Sequence, residues 1–148
     1  MTASLQRIDH VNIVVRDLER VKQFFVALGF EVRDQAELKG EWISKIVELN
    51  NVEAEYVKLA PPAGGTMLEL IRYDNPPANE VPLVGDANTL GFRHMACEVG
   101  NMEEAIAALK ELDIQPLSEV QEYAPAKKKL VYFRGPEGIL LELAEYGS

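Results

Sequence analysis

A chain of 148 residues with 47% apolar side chains can bury one full core and is not a disordered composition. Its net charge of −9 excludes the basic surface that nucleic acid needs and disfavours anionic membranes. No apolar run approaches the roughly 18–20 residues of a membrane helix, residues 1–7 show no basic segment leading into an apolar core, and the single cysteine, Cys97, permits no internal disulfide. A cytoplasmic protein without a signal peptide is the expectation.

From Ile8 to Val15 the side chains alternate, with Val11, Ile13 and Val15 on one side and His10, Asn12 and Val14 on the other. This predicts a strand whose apolar face packs on a helix. Asp17 then reads as an N-cap, apolar residues at 18, 21, 24, 25 and 28 give helical spacing, and Gly29 ends the helix. A second strand starts at Phe30–Val32. Within 36–50, the spacing of Trp42, Ile43, Ile46, Val47 and Leu49 predicts a short helix, either a packed extra turn with Trp42 in the core or a flap over a site.

Val52–Leu59 is the next predicted strand, with Val57 and Leu59 toward the core and Ala54, Tyr56 and Lys58 on the other side. A turn at 61–65 leads into Met67–Tyr73, where Leu68 and Leu70 face the core and Glu69 and Ile71 face away. Asp74–Thr89, rich in Pro, Asn and Gly, reads as a linker. The plan then repeats. Phe92–Val99 is a strand with His94, Ala96 and Glu98 on one face and Cys97 in phase with Met95 as a core thiol. Asn101 caps a helix with apolar residues at 102, 105, 106, 109 and 112, followed by strands at Ile114–Val120, Lys128–Arg134 and, after the turn at 135–138, Ile139–Tyr146.

The repetition extends to identities. Leu68, Glu69, Leu70 and Tyr73 match Leu141, Glu142, Leu143 and Tyr146 at an offset of 73, and Ile8–Val15 recurs loosely at 92–99 at an offset of 84. Each half opens on a strand with one histidine and closes on a strand with one glutamate. A single domain is expected, with a first module at about 6–74, a linker at about 75–90 and a second module at about 91–147. Two sheets, each covered on one face, would pair at their open edges and curl into a cup with His10, Glu69, His94 and Glu142 on its uncovered face.

Two imidazoles and two carboxylates suit one divalent ion among Zn, Ni, Co, Mn and Fe. Such an ion polarises a carbonyl and stabilises an adjacent enolate. Both histidines of the chain fall at equivalent positions of the repeat. A hydrogen-bonded His–Glu cluster without metal is the plainer alternative.

The segments Asp9-His10-Val11, the helix ending in Leu28-Gly29-Phe30, Leu68-Glu69-Leu70, Phe92-Arg93-His94-Met95 and Arg134–Gly138 followed by Leu141-Glu142-Leu143 resemble the vicinal oxygen chelate superfamily. That superfamily includes glyoxalase I, methylmalonyl-CoA epimerase, extradiol dioxygenases and bleomycin-resistance proteins. The resemblance implies an α+β fold of two tandem βαβββ modules (the glyoxalase/bleomycin-resistance/dihydroxybiphenyl dioxygenase fold), forming a cup-shaped mixed sheet with helices outside. It also implies a homodimer, with metal ligands His10, Glu69, His94 and Glu142. This set is that of glyoxalase I-like enzymes. The epimerase has glutamine at the place of Glu69, extradiol dioxygenases use two histidines and one glutamate, and bleomycin-resistance proteins have no metal ligands.

The chain departs from the epimerase pattern on the third strand of the first module. The epimerase has a catalytic glutamate there, whereas here Tyr56 takes the cup face and Glu55 points to the core side unless the register slips. Asn12, Tyr56, Lys58, Tyr132 and Arg134 are the substrate-binding candidates. Arg134 and Lys127–Lys129 form the local basic cluster for an anionic substrate, although a lysine run at a strand entry also reads as a solvated edge. The expected function is a metal-dependent isomerase, epimerase or lyase acting on a small oxygenated metabolite. It would abstract a proton beside a carbonyl, with Glu142 first and Glu69 second as proton carriers. A ring-cleaving or other metal-dependent dioxygenase and a non-enzymatic binder of a drug or metabolite are the alternatives.

Overall fold

The structure, a computed structural model, describes residues 5–79 and 85–147. The chain forms two compact units that divide in the sequence at residues 80–81. The first contains β1 (His10–Val14), α1 (Leu18–Ala27), β2 (Glu31–Lys39), α2 (Glu41–Val47), β3 (Glu53–Ala60) and β4 (Met67–Asn75), in a four-stranded sheet of order β1-β4-β3-β2. The second contains β5 (His94–Glu98), α3 (Met102–Glu111), β6 (Gln121–Tyr123), β7 (Lys128–Arg134) and β8 (Leu140–Tyr146), in a sheet of order β5-β8-β7-β6. In both sheets the first strand runs parallel to the last and the remaining neighbours are antiparallel. Each unit is therefore a βαβββ module, with α2 added in the first.

The two long helices start where a side chain can satisfy an orphan amide. Asp17 Oδ1 accepts from Arg20 N at 3.1 Å and Asn101 Oδ1 accepts from Glu104 N at 3.0 Å. Gly29, at φ +99°, turns the chain out of α1 in a conformation that a side chain disfavours, and a Cβ there would come within 3.0 Å of Pro62. The apolar stripe of α1 (Leu18, Val21, Phe24, Phe25) is buried together with Val57, Leu59, Leu68 and Leu70 of the sheet. Phe25 meets Phe24 and Phe30 edge-on at 5.1 and 5.3 Å. In the second unit Met102 and Leu109 of α3 are buried, as are Val131, Phe133, Leu141 and Leu143 of the sheet, and α3 packs on β8. Cys97 is half-buried, not a full core residue as expected, and its partial burial pushes the thiol above its ordinary pKa.

The structure corrects four further expectations. Residues 114–120 do not form a strand: only Pro116 makes an isolated bridge, to Phe133, and the paired strand is Gln121–Tyr123. Proline has no amide hydrogen to continue a ladder. The helix predicted within 36–50 is present, but Trp42 is 57% exposed and it is Ile43 that packs with Val52, Ala54 and Ile71. A seven-residue helix covers the sheet with one stripe, here Ile43 and Val47, so the stripe of Trp42, Ile46 and Leu49 faces outward. The apolar side of the first strand is less covered than its alternation suggests, since Val15 is buried and Val11 is 41% exposed. Finally β4 runs on to Asn75, into the expected linker, and positions 80–84 of that linker lie outside the described residues. Among the described residues no helix is long and apolar enough to cross a membrane.

Replacing Phe25 with Ala should destabilise the protein by about 3–5 kcal/mol, whereas Val26→Ala, on the exposed side of α1, should change stability by less than about 1 kcal/mol. Urea unfolding followed by circular dichroism measures both, and equal losses would show that α1 is not seated as described.

Candidate functional site

The parallel pairing of β1 with β4 sets Asn12 opposite Glu69, and that of β5 with β8 sets Ala96 opposite Glu142. Side chains alternate along a strand, so His10 and His94, each two residues before those partners, share the face of the glutamate. The two units thus build the same pair from the same register.

In the first unit His10 Nε2 lies 3.8 Å from Glu69 Oε2. The other ring nitrogen, Nδ1, is 2.7 Å from Asp9 Oδ2, which fixes the ring and leaves Nε2 toward the glutamate. That hydrogen bond holds the Asp9 carboxyl below the usual carboxylate range. Asn12 Nδ2 donates to Glu69 Oε1 at 2.8 Å. On β3, Lys58 is the register partner of Glu69 and Tyr56 that of Ile71, so both lie on the glutamate's face as expected. The Tyr56 hydroxyl donates to Asp34, and this bond raises the phenol pKa above its ordinary value. Tyr73 is raised as well, by burial and by the nearby Glu69 charge. The helix α2 covers this same sheet face over Ala54 and Ile71. Glu55 points the other way, to Arg72 Nη2 at 3.3 Å and Gln35 Nε2 at 2.7 Å. The register has not slipped, and the face carrying Glu69 has no glutamate at this place on β3.

In the second unit Glu142 is 3% exposed, the one charged side chain buried among the described residues. His94 Nε2 lies 3.3 Å from its Oε1. Tyr132, the register partner of Glu142, places its ring 4.8 Å from the His94 ring and its hydroxyl 3.4 Å from Nε2. Lys128 Nζ stands 2.7 Å from Glu142 Oε2. This is the closer of the two charged contacts of the buried carboxylate, and Oε2 takes its charge-assisted partner from Lys128. The Glu142 carboxylate raises the Lys128 ammonium above its ordinary pKa. Arg134 donates to the backbone carbonyls of Gly138 at 3.2 Å and Gly85 at 2.9 Å, so its guanidinium braces the turn and an adjoining loop.

Of the residues singled out in the sequence, His10, Asn12 and Glu69 meet in one cluster, with Tyr56 and Lys58 on the same face, and His94, Glu142 and Tyr132 meet in another. Three partners were missed. Asp9, just before β1, and Asp34, within β2, carry no signal beyond being carboxylates. Lys128 could have been found, because it sits two strand periods before Tyr132 and therefore on the same face. Its 19%-exposed side chain is paired with Glu142, so Lys128 departs from the reading of the lysine run as a solvated edge, while Lys127 and Lys129 are exposed as that reading expects.

The donors present fit a divalent ion. Each unit offers an imidazole nitrogen and a carboxylate oxygen, and the 3.3 Å between His94 Nε2 and Glu142 Oε1 is close to the roughly 3.0 Å expected of two adjacent donors on one ion. The Asp9–His10 contact, an outer carboxylate fixing a ring that could ligate, is a feature of metal sites. Within either unit, among the described residues, no third His, Cys, Asp or Glu completes the set.

Residues 7–143 match the family model of the Glyoxalase/Bleomycin resistance protein/Dioxygenase superfamily. Over 148 aligned residues the chain is 30% identical to the mitochondrial methylmalonyl-CoA epimerase of Bos taurus, covering 96% of this chain and 75% of that protein. It is 28% identical over 143 residues to the uncharacterized protein YwkD of Bacillus subtilis (strain 168), covering 95% and 98%. Among solved structures, a glyoxalase family protein from Bacillus cereus superposes with a TM-score of 0.90 at 31% identity, covering 98% of this chain and 97% of that one. A glyoxalase family protein from Enterococcus faecalis gives 0.69 at 30% identity, covering 95% and 98%.

The Tyr56–Asp34 bond has a measurable consequence. An anion accepting from the phenol favours its protonated form, so Asp34→Asn should move one tyrosine ionisation to lower pH in an absorbance titration at alkaline pH. An unchanged titration would mean that the hydroxyl does not rest on Asp34.

Proposed function

The chain belongs to the Glyoxalase/Bleomycin resistance protein/Dioxygenase superfamily, and on that premise we propose that it is a divalent-metal-dependent isomerase or epimerase. Its substrate would be a small oxygenated metabolite with an acidifiable C–H beside a carbonyl. The observation that carries this reading is the His–Glu pair built twice at one register, on β1 and β4 and again on β5 and β8. The proposed ligands are His10, Glu69, His94 and Glu142. The similarity to methylmalonyl-CoA epimerases supports the epimerase type, and acyl thioesters with an acidic α-carbon are the first substrates to try.

The ion, when bound, supplies a Lewis acid that polarises the substrate carbonyl and lowers the pKa of the neighbouring C–H. The chain does the rest. Glu142 is the first candidate to take that proton and return it, and Glu69 is the second. Asn12 holds one oxygen of Glu69, so its other oxygen stays toward His10. Asp9 keeps His10 in the tautomer that presents Nε2. Tyr132, beside His94, and Tyr56 and Lys58, on the face of Glu69, are placed to bind substrate oxygens or to relay the proton. The missing β3 glutamate separates this chain from the two-base arrangement expected of an epimerase, and the second carboxylate ligand, Glu69, stands as the replacement.

Exchange with solvent deuterium tests the chemistry whatever the product turns out to be. Metal-loaded protein in D2O should label the α-carbon of a turned-over thioester or 2-oxo compound, as read by mass spectrometry. Glu142→Gln should slow labelling by about 10²–10⁴-fold while retaining the native circular dichroism spectrum. Full labelling by that variant would remove Glu142 from the proton-carrying role.

A further inference from the structure

We propose that Lys128 is an internal cation that occupies Glu142 in the metal-free chain and must give way when a divalent ion binds. The inference rests on the metal-dependent reading above and adds a residue that sets how tightly the ion is held.

Burial makes Glu142 a position that needs a cation beside it. A carboxylate that is 3% exposed has little water to balance its charge, so an isolated one is costly. In this structure the compensating charge at Glu142 is the Lys128 ammonium, 2.7 Å from Oε2. At that distance the ammonium is a charge-assisted partner of Oε2, carried on a flexible stem that can leave it. The oxygen on the other side, Oε1, faces His94 Nε2 at 3.3 Å.

Two further observations give the lysine somewhere to go. Its side chain is 19% exposed, against 4% for the Glu142 side chain, so it has a route toward solvent. Its ammonium also lies 5.7 Å from the centre of the Tyr146 ring, whose residue is 50% exposed and whose face can hold a cation released from the carboxylate.

The repeat supplies an internal control. Lys128 stands four residues before Tyr132, which faces Glu142, and the matching place in the first unit, four residues before Lys58, is Ala54. Ala54 is buried beneath α2 with Ile43 and Ile71. Conversely Asn12, which donates to Glu69, corresponds to Ala96 in the second unit. One carboxylate is thus held by an uncharged amide and the other by an ammonium. An amide can stay in place beside an added dication, whereas an ammonium 2.7 Å from the same carboxylate is repelled by it. Because the Lys128–Glu142 contact stabilises the metal-free state, removing it must strengthen metal binding, and the same linkage makes metal-free protein less stable without it.

The test is calorimetric titration of chelator-stripped protein with Co²⁺, for wild type, Lys128→Met, Lys128→Arg and, as a neighbouring control, the exposed Lys129→Met. Lys128→Met should bind about tenfold more tightly, melt at a lower temperature without metal, and gain more in melting temperature when Co²⁺ is added. Lys128→Arg and Lys129→Met should stay near wild type. Equal or weaker binding by Lys128→Met overturns the proposal and leaves the metalloenzyme reading standing, while no Co²⁺ bound by any of the four proteins overturns both. If Lys128→Met does not fold, Lys128→Gln replaces it, with the same outcomes.

Discussion

The functional part of this structure depends on one backbone constraint, the parallel pairing of the first and last strands of each module. Parallel strands in register fix which residues stand side by side, and alternation then fixes which face each side chain takes. Asn12 opposite Glu69 and Ala96 opposite Glu142 are enough to bring a histidine two residues upstream to the glutamate's face. A slip of one residue in either pairing would send the glutamate into the leucines beneath the helix, where Leu68, Leu70, Leu141 and Leu143 now lie buried. The apolar core on one face of each sheet therefore protects the chemistry on the other.

The duplicated units have diverged around this shared frame. The first has added α2, which seals part of the glutamate's face with Ile43 packed on Ala54 and Ile71, and it holds Glu69 with an amide. The second has no such helix, buries its glutamate more deeply and sets a lysine against it. A carboxylate this buried is a costly structural device, because its charge must be balanced by a cation inside the protein. The same need makes it a good cation ligand.

Much of this was legible in the sequence because it rests on periodicity. Leu68-Glu69-Leu70 and Leu141-Glu142-Leu143 carry a charge flanked by leucines, which alternation turns into one glutamate facing away from a core. Asp17 and Asn101 announced their helices by the chemistry of capping. What escaped does not follow from periodicity. The region 114–120 has enough apolar residues for a strand, but Pro116 reduces it to a single bridge. Trp42 lies on a helix with apolar residues on two sides, and only the sheet it meets decides which stripe is buried. For Lys128 periodicity gives the face, two strand periods before Tyr132, but not the partner: it is the register partner of Tyr146, four residues along β8 from Glu142, and its long stem carries the ammonium back to the carboxylate.

The central claim is the proposal that the duplicated histidines and glutamates are metal ligands, and metal content tests it most directly. Protein purified without chelators and assayed by plasma mass spectrometry should carry about one divalent ion per chain. His10→Ala and His94→Ala, one from each unit, should each lose it with the fold retained. No ion in the wild type, and no rise in melting temperature with added Ni²⁺, Co²⁺, Mn²⁺ or Zn²⁺, would contradict the account and leave the two His–Glu pairs as structural clusters in a ligand-binding protein.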